Sequence, residues 1–303
     1  MAEKPTTSLA QASALALTAL RLRVVTAYHL GRTVHRVYRD KGTGERRVRV
    51  KKVLPEARHY REVLNFLESH GVLQAVRGFP AGSIFTLPGP EDPTAAELLC
   101  VADPFAYISH LSAMDIHGLT DRIPTTLFAS SPAPSQWSAA ARAQMEKDLG
   151  DDLPSYLDAG FPALRRTKFE KIQGKPVHLS HSSHLGAFKR LEPSGVRVST
   201  IGRTFLDMLR EPDLCGGIQH VLDCYEAHAK TYLSLITSEV QQHGSDIDKV
   251  RAGYVLEERC GLDLPEFAEW VRSAKRGGSR KLVANQPYAS TYSARWCLSL
   301  NAD

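Results

Sequence analysis

Apolar residues recur at helical spacing in three segments of the first ninety positions. Ser8 can cap a helix over residues 9–22, which are rich in Ala and Leu, and Thr26 can cap a short second helix that turns Leu30 inward. Pro55 is well placed at the start of a third helix. The apolar positions that this third helix would place on one face are Ala57, Tyr60, Val63, Leu64 and Leu67.

Two short strand-like runs follow the third helix. Gly71 is expected to end the helix, and residues 72–76 and 83–87 are apolar runs joined by residues 77–82, which contain two glycines and a proline. Such a connection is typical of a β-hairpin. Helices followed by a hairpin occur in this order in a winged helix, so we predict a winged helix-turn-helix DNA-binding domain over residues 1–90.

Three prolines within residues 88–93 interrupt the pattern, and we place the domain boundary there. After it we predict a helix that starts at Asp103-Pro104 and is closed by Gly118, then a polar connection over residues 131–160 enclosing one amphipathic helix. Further segments are predicted as strands at 125–129, 168–172, 176–180 and 196–198, and as helices at 200–209 and 217–229. The expected fold class is α+β, an N-terminal winged helix-turn-helix followed by a larger mixed α/β domain over residues 91–303.

The composition is that of a folded protein, and the charge is unevenly distributed along the chain. Apolar residues are 43% and charged residues 23% of the chain, as in an ordinary folded protein. Residues 1–90 hold 15 Lys and Arg against 6 Asp and Glu, whereas the remaining residues hold 23 against 27. The positive charge therefore lies in the predicted DNA-binding domain. Neither a signal peptide nor a membrane-spanning apolar run is recognisable, so we expect a cytoplasmic protein without a membrane partner.

Candidate DNA contacts follow from the winged-helix prediction. The third helix would enter the major groove and the wing would touch the DNA backbone. Residues 35–52 alternate cations with Val48 and Val50 in their second half, which predicts a two-stranded arm that turns at residues 42–44 and has one cationic face. The candidate contacts are Arg32, Arg36, Arg39, Arg46, Arg47, Arg49, Lys51, Lys52, Arg58, Arg61 and Arg77. Such a row of cations would make the affinity for double-stranded DNA depend on the salt concentration. Two alternatives to DNA binding remain: a basic surface that is only solvated, and an RNA partner.

Catalytic chemistry is not favoured by any cluster in the chain. His178, His181 and His184 lie three residues apart, a spacing that places neighbours on opposite faces of a strand, and no acidic partner is close in sequence. His110 and His117 fall on one predicted buried helix with Asp115, where a core or capping role is favoured over a triad. Five cysteines show no C-x-x-C spacing. We therefore expect no catalytic residues, no metal and no cofactor.

Three separated blocks of the chain carry a family resemblance: residues 106–120, residues 198–207 with 216–218, and residues 278–282 with 292–301. These blocks resemble the AbiEi antitoxin family of abortive-infection systems. The resemblance implies a two-domain antitoxin, in which a winged-helix part represses its own operon and a C-terminal part counters a nucleotidyltransferase-like toxin from the neighbouring gene. The basic arm at 35–52 is longer than the corresponding part of a minimal helix-turn-helix, which leaves the identity of the recognition helix open.

A second cationic patch lies near the C-terminus, beside a glycine-rich turn, and suits an acidic protein surface or further DNA backbone. The cations of this patch and Arg295, from residues 292–301, are the candidate toxin contacts: Arg276, Arg280, Lys281 and Arg295. Two other functions remain open. One is a plain transcription regulator with a ligand-sensing C-terminal domain, and the other is a metal-dependent nucleic-acid enzyme.

Overall fold

A computed structural model describes residues 5–44, 46–182, 187–274 and 280–302. The architecture is mixed α+β with several small sheets, as predicted. The chain divides into two compact units. The first unit comprises the described residues of Met1–Ala106, Ser131–Val177 and His181–Ser183, and the second unit comprises those of Tyr107–Ser130, His178–Ser180 and His184–Asp303.

The helices and strands have the following bounds. The helices are α1 (Leu9–Ala19), α2 (Ala27–Arg39), α3 (Ala57–Ser69), α4 (Ala95–Ala102), α5 (His110–Ile116), α6 (Pro134–Leu149), α7 (Leu153–Asp158), α8 (Ile201–Arg210), α9 (Ile218–His228), α10 (Leu233–His243), α11 (Asp246–Tyr254) and α12 (Glu266–Trp270). The strands are β1 (Thr6–Thr7), β2 (Val24–Thr26), β3 (Gly42–Thr43), β4 (Arg46–Val48), β5 (Gln74–Ala75), β6 (Ile84–Thr86), β7 (Tyr107–Ile108), β8 (Leu127–Ser131), β9 (Lys171–Ile172), β10 (Lys175–His181), β11 (Phe188–Leu191), β12 (Val196–Ser199), β13 (Tyr292–Ser293) and β14 (Leu298–Ser299).

Both predicted helix caps in the first unit are confirmed. The hydroxyl oxygen of Ser8 accepts a hydrogen bond from the Gln11 N–H at 3.2 Å, and that of Thr26 accepts one from the His29 N–H at 3.1 Å. The helix α2 extends to Arg39, well beyond the short helix predicted, because its apolar stripe continues through Val34, Val37 and Tyr38. The expectation that residues 35–39 belong to an extended arm is therefore wrong.

The remainder of the arm forms a hairpin, as predicted, but Gly42 and Thr43, expected in its turn, form the strand β3. Strands β3 and β4 pair antiparallel, and β1 adds a parallel strand to β4. Val48 is buried against Ala12 and Val37, whereas Arg47 and Arg49 are exposed. The alternation of valine and arginine thus places the cations on one face, as predicted.

The third predicted helix and the hairpin after it are also present. The helix α3 buries Tyr60, Val63 and Leu67, and the chain leaves it at Gly71, whose φ of +67° is favourable only for glycine. Strands β5 and β6 form the hairpin within the predicted runs. The short strand β2 was not predicted; it pairs antiparallel with β6, so that the sheet order is β2-β6-β5.

The core of the first unit includes residues far along the chain. Tyr156 and Phe161 are buried in one apolar cluster with Leu17, Leu30 and Leu67. Residues 131–160, predicted as a mainly polar connection, form the helices α6 and α7. The boundary between the two units therefore differs from the domain boundary predicted at residues 88–93. The reason is that residues after this boundary cover the apolar surfaces of α1, α2 and α3.

The predicted helix from Asp103-Pro104 is wrong in its first half. Tyr107 and Ile108 form β7, in which Ile108 pairs with Val198 in parallel register and with Ala129 in antiparallel register. Only α5, from His110 to Ile116, is helical; His117 is its C-cap, and Gly118, predicted to close the helix, follows with a φ of +66°. The Asp103 carboxylate accepts a hydrogen bond from the Trp137 indole N–H at 2.8 Å instead of capping a helix.

The second unit packs helices against a small sheet with strand order β11-β12-β7-β8. The predicted helices near 200–209 and 217–229 are confirmed as α8 and α9, and Thr200 caps α8. Phe205, Tyr225, Trp270 and Trp296 are buried in its core. Among the described residues, no helix combines the length and hydropathy required to cross a bilayer.

Candidate nucleic-acid interface

Three of the predicted contact residues converge at the hairpin. Arg36, Arg46 and Arg47 line a shallow groove of about 570 Å³ together with Lys41 and the carboxylate of Asp40. All three arginines are exposed. Four cations around one carboxylate give this groove a net positive charge, suited to an anion such as a phosphate.

The cations just before α3 and at its first turn are partly compensated. Arg58 lies 3.0 Å from the Glu56 carboxylate, and Lys52 also pairs with Glu56. The hydrogen bond from Lys52, followed by the charge of Arg58, lowers the pKa of the Glu56 carboxyl. On α3 itself, Arg61 is exposed and makes no ion pair within the described part of the chain. Arg61 is therefore the freer cation of the two on this helix.

Two of the predicted contacts on α2 are engaged inside the first unit. The Arg32 guanidinium lies 2.8 Å from the Asp148 carboxylate at the end of α6, and Arg39 lies 3.0 Å from Asp152. Asp148 also accepts a hydrogen bond from the Tyr28 hydroxyl at 3.1 Å. These arginines hold α2 against the end of α6 and the segment that follows it, so their charge is already balanced.

The predicted wing is supported by a segment that lies about ninety residues later in the chain. The Phe79 ring packs edge-on against Phe169, with ring centroids 5.7 Å apart, and a Cβ at Gly78 would lie 3.3 Å from the Lys171 carbonyl oxygen. Arg77 and Lys171 are both exposed. Sequence reasoning missed this contact, although the basic run at residues 165–171 is visible in the sequence and could have drawn attention to it.

A cleft of about 520 Å³ opens beside α3, entirely within the first unit. One wall is formed by α3 and the start of α2, and the other by residues 160–167. Arg61 and Arg165 both line it, and Tyr60 packs against Phe161 with ring centroids 6.1 Å apart. The sequence alone did not bring these elements together.

The candidate toxin contacts are distributed differently. Arg276 lies outside the described residues. Arg280 and Lys281 line a cleft of about 430 Å³ in the second unit together with Arg251, and Lys281 donates a hydrogen bond to the Gln286 carbonyl at 2.8 Å. Arg295 does not line this cleft; it lies 2.6 Å from the Glu257 carboxylate and over the Trp296 ring. Arg280 and Lys281 therefore line the same cleft, whereas Arg295 pairs with Glu257 outside it.

The histidine at the start of α5 lies in a buried polar network. His110 Nδ1 is 2.8 Å from the Ser109 hydroxyl, and its Nε2 is 2.8 Å from the Glu211 carboxylate. The hydrogen bond with His110 lowers the pKa of Glu211. Asp115, which the sequence suggested as a neighbour of His110, is exposed. Because Ser109 is wholly buried, its hydroxyl is inaccessible to a substrate, and the arrangement favours a structural role.

A buried ion pair lies on the helix that follows this network. Arg203 and Asp207, one turn apart on α8, are 2.8 Å apart and both almost fully buried. Burial raises the pKa of Asp207 despite the attraction of Arg203. His117 lies 2.7 Å from the Ser199 carbonyl oxygen, and burial lowers its pKa. These polar residues thus join parts of the second unit to one another.

Metal ligation finds little support in the described part of the chain. His178 and His181 are both exposed on β10, and His184 lies outside the described residues. Within residues 5–44, 46–182, 187–274 and 280–302, no three His, Cys, Asp or Glu side chains gather closely enough to hold a metal ion.

Comparison with known proteins adds a distant structural likeness. No family model matches the chain, and no curated protein matches it. The crystal structure of the RV2827C protein from Mycobacterium tuberculosis is similar over 96% of this chain and 90% of that chain, at 13% sequence identity and a TM-score of 0.49. At this level of similarity it identifies neither a family nor a function.

Proposed function

We propose that this protein is a transcription regulator that binds double-stranded DNA through a winged helix in its first unit. The order α1, β2, α2, α3, β5, β6 and the antiparallel sheet β2-β6-β5 support a winged helix, in which α3 would be the recognition helix. Arg61 and Arg77 would then meet DNA from the helix and the wing, respectively.

The observation that carries the proposal is the cationic face of β4 and the residues after it. Val48 is locked into the core beneath, whereas Arg47 and Arg49 project to the outer side, about 7 Å apart as expected for alternate strand residues. A strand anchored in this way presents its cations in a fixed row. Cations on an anchored backbone lose less conformational entropy when they bind phosphates than cations on a free loop would.

A salt titration with the full-length chain tests the proposal. Replacing Arg47, Arg49 and Lys51 together by Gln should weaken binding to any duplex and reduce the slope of log affinity against log salt by about 2 to 3. The matched control replaces three exposed cations of the second unit, Lys189, Arg190 and Lys230, by Gln. The proposal is wrong if both triple variants lose the same affinity, or if wild-type binding does not change with salt.

We extend the proposal to an antitoxin that represses its own operon and counters a nucleotidyltransferase-like toxin. This part rests on the resemblance of the three blocks. Two of them meet in the structure, since Ile108 pairs with Val198 and His117 contacts the Ser199 carbonyl. These blocks build the core of the second unit, so contact with a toxin falls to residues at its surface, and the partly exposed Lys281 is the first candidate.

Co-expression tests the antitoxin role. If a neighbouring gene encodes a nucleotidyltransferase, the full-length chain should restore growth of cells that express it. Lys281→Glu should reduce that protection while the variant remains folded, which its melting temperature shows; it also loses the hydrogen bond to the Gln286 carbonyl. Lys230→Glu, at an exposed position on the same unit, is the matched control. Growth that is not restored by the wild-type chain would rule out the antitoxin role and leave DNA binding to be judged by the salt titration.

A further inference from the structure

The cleft beside α3 has the dimensions of a small-molecule site. Its volume of about 520 Å³ falls in the range of roughly 300–1,000 Å³ that is usual for ligand pockets. The rings of Tyr28, Tyr60 and Phe161 line it, and each of these residues is more than nine-tenths buried. The space exists because the surrounding residues are small: Ala27, Ala57, Gly82, Ala102, Gly160 and Ala163.

The walls of the cleft are held in place. The Tyr156 hydroxyl donates a hydrogen bond to the Pro162 carbonyl at 2.7 Å, and the Leu164 N–H donates one to the Met145 sulfur at 3.3 Å. These two bonds fix the segment 160–167 on either side of Ala163. A ligand would therefore enter a largely preformed site and would not have to order a loop.

The charge of the cleft favours an anion. Arg61 and Arg165 line it from opposite walls, and among the described residues neither makes an ion pair. The residues that line it include no Asp or Glu. The first residues of α2 also face it, and the N-terminus of a 13-residue helix adds a partial positive charge.

We propose that this cleft binds a small organic carboxylate, in which an aromatic ring or a short apolar chain carries a single negative charge. The apolar body would pack on Phe161 and Leu164, and the carboxylate would pair with Arg165 and Arg61 at the mouth. Inorganic phosphate would satisfy the arginines but not the apolar walls, so it should bind more weakly than a carboxylate with an apolar body.

Occupancy of the cleft would also oppose DNA binding; this consequence rests on the function proposed above. Arg61 lies on α3, so a carboxylate that pairs with Arg61 takes one cation from the candidate DNA contacts and adds a negative charge beside them. The ligand would therefore release DNA, as an inducer does.

Calorimetric titration of the full-length protein tests the site directly. The probes are benzoate, salicylate, phenylacetate and hexanoate, with benzamide as the neutral analogue of benzoate and with inorganic phosphate. At least one carboxylate should bind, and benzoate should bind about tenfold more tightly than benzamide, because a charge-assisted hydrogen bond is lost with the amide. Absence of binding by all four carboxylates, or equal binding of benzoate and benzamide, would overturn the proposal.

Two variants and a matched control locate the bound carboxylate. Arg165→Gln should lower its affinity about tenfold, and Ala163→Phe should abolish binding by filling the cleft. Arg166→Gln changes the adjacent cation, which does not line the cleft, and should leave the affinity unaltered. Melting temperatures without ligand show whether each variant is folded. Equal losses in Arg165→Gln and Arg166→Gln would refute a carboxylate in this cleft.

A DNA-binding assay with the same ligand separates the two proposals. If the carboxylate binds and lowers DNA affinity, both stand. If it binds but DNA affinity does not change, the ligand site stands and its regulatory role is refuted. If the protein binds the carboxylate but no duplex DNA, the ligand site stands and the proposed function is refuted.

Discussion

Gly31 of α2 lies directly against the hydroxyl group of Tyr156 in α7, so closely that a Cβ at position 31 would overlap with that oxygen. Tyr156 is fully buried, and its hydroxyl is hydrogen-bonded to the Pro162 carbonyl. The contact joins a helix of the first ninety residues to a segment more than a hundred residues later. The absence of a side chain at residue 31 is what allows α2 to approach this segment.

We predict that Gly31→Ala destabilises the protein although alanine favours helices. Overpacking against a buried ring costs about 1–3 kcal/mol, which exceeds the gain of about 1 kcal/mol from replacing a helical glycine. Urea unfolding of the full-length chain measures the difference. In the double variant with Tyr156→Phe the oxygen is gone, so the two losses should be less than additive; strict additivity would contradict the contact.

A second prediction concerns pH. Burial, with a contribution from the charge of Arg32, lowers the pKa of His29 from 6.5 to about 4. Between these values the unfolded chain binds more protons than the folded chain, so the free energy of unfolding must fall as the pH is lowered from about 6.5 to 4. His29 contributes up to about 3 kcal/mol to this loss.

The variant His29→Gln isolates this contribution. Glutamine can keep the capping-box hydrogen bond to the Thr26 N–H, but it does not titrate. Its unfolding free energy should therefore depend less on pH between 6.5 and 4 than that of the wild type. His70→Gln, at an exposed histidine, is the control. If both variants show the wild-type dependence on pH, the burial of a neutral His29 is not what destabilises the protein in acid.

A third prediction concerns truncation. A fragment of residues 1–90 lacks Tyr156 and Phe161, which lie in the core of the first unit, and loss of a buried aromatic side chain costs about 3–5 kcal/mol. That is a large part of a total stability of about 5–15 kcal/mol, so we expect this fragment to be largely unfolded. A fragment of residues 1–182 keeps both aromatic residues. Urea unfolding followed by circular dichroism compares the two fragments, and equal midpoints would show that the later residues are dispensable.

The fourth prediction separates the candidate DNA contacts. Arg32 and Arg39 are paired with Asp148 and Asp152, so replacing both by Gln should change DNA affinity less than replacing Arg47 and Arg49. Two half-exposed ion pairs each contribute at most about 1 kcal/mol to stability, so the double variant should remain folded. Fluorescence anisotropy with one duplex at two salt concentrations measures the difference. A larger loss for the Arg32 and Arg39 variant would place α2 at the DNA surface.

Local signals were sufficient for much of the first unit. Ser8 and Thr26 were predicted as caps and Gly71 as a helix end, and each is found. The predicted alternation of exposed Arg47, buried Val48 and exposed Arg49 is also found, although the strand itself ends at Val48. Capping, glycine turns and strand alternation depend on hydrogen bonds and side-chain directions within a few residues. A pattern in the sequence therefore contains the information that is needed for them.

Contacts between distant segments were decided only by the tertiary structure. Asp103-Pro104 is a sound local start for a helix, yet Tyr107 and Ile108 form a strand because β8 and β12 pair with it. The cleft between Arg61 and Arg165 likewise depends on segments about a hundred residues apart. The local elements of the first unit and the position of its positive charge follow from short stretches of the chain. The segment that covers these elements is the one that buries Tyr156 and Phe161. Many segments of similar hydrophobicity could cover an apolar helix face, so the sequence pattern alone does not identify the one that packs there.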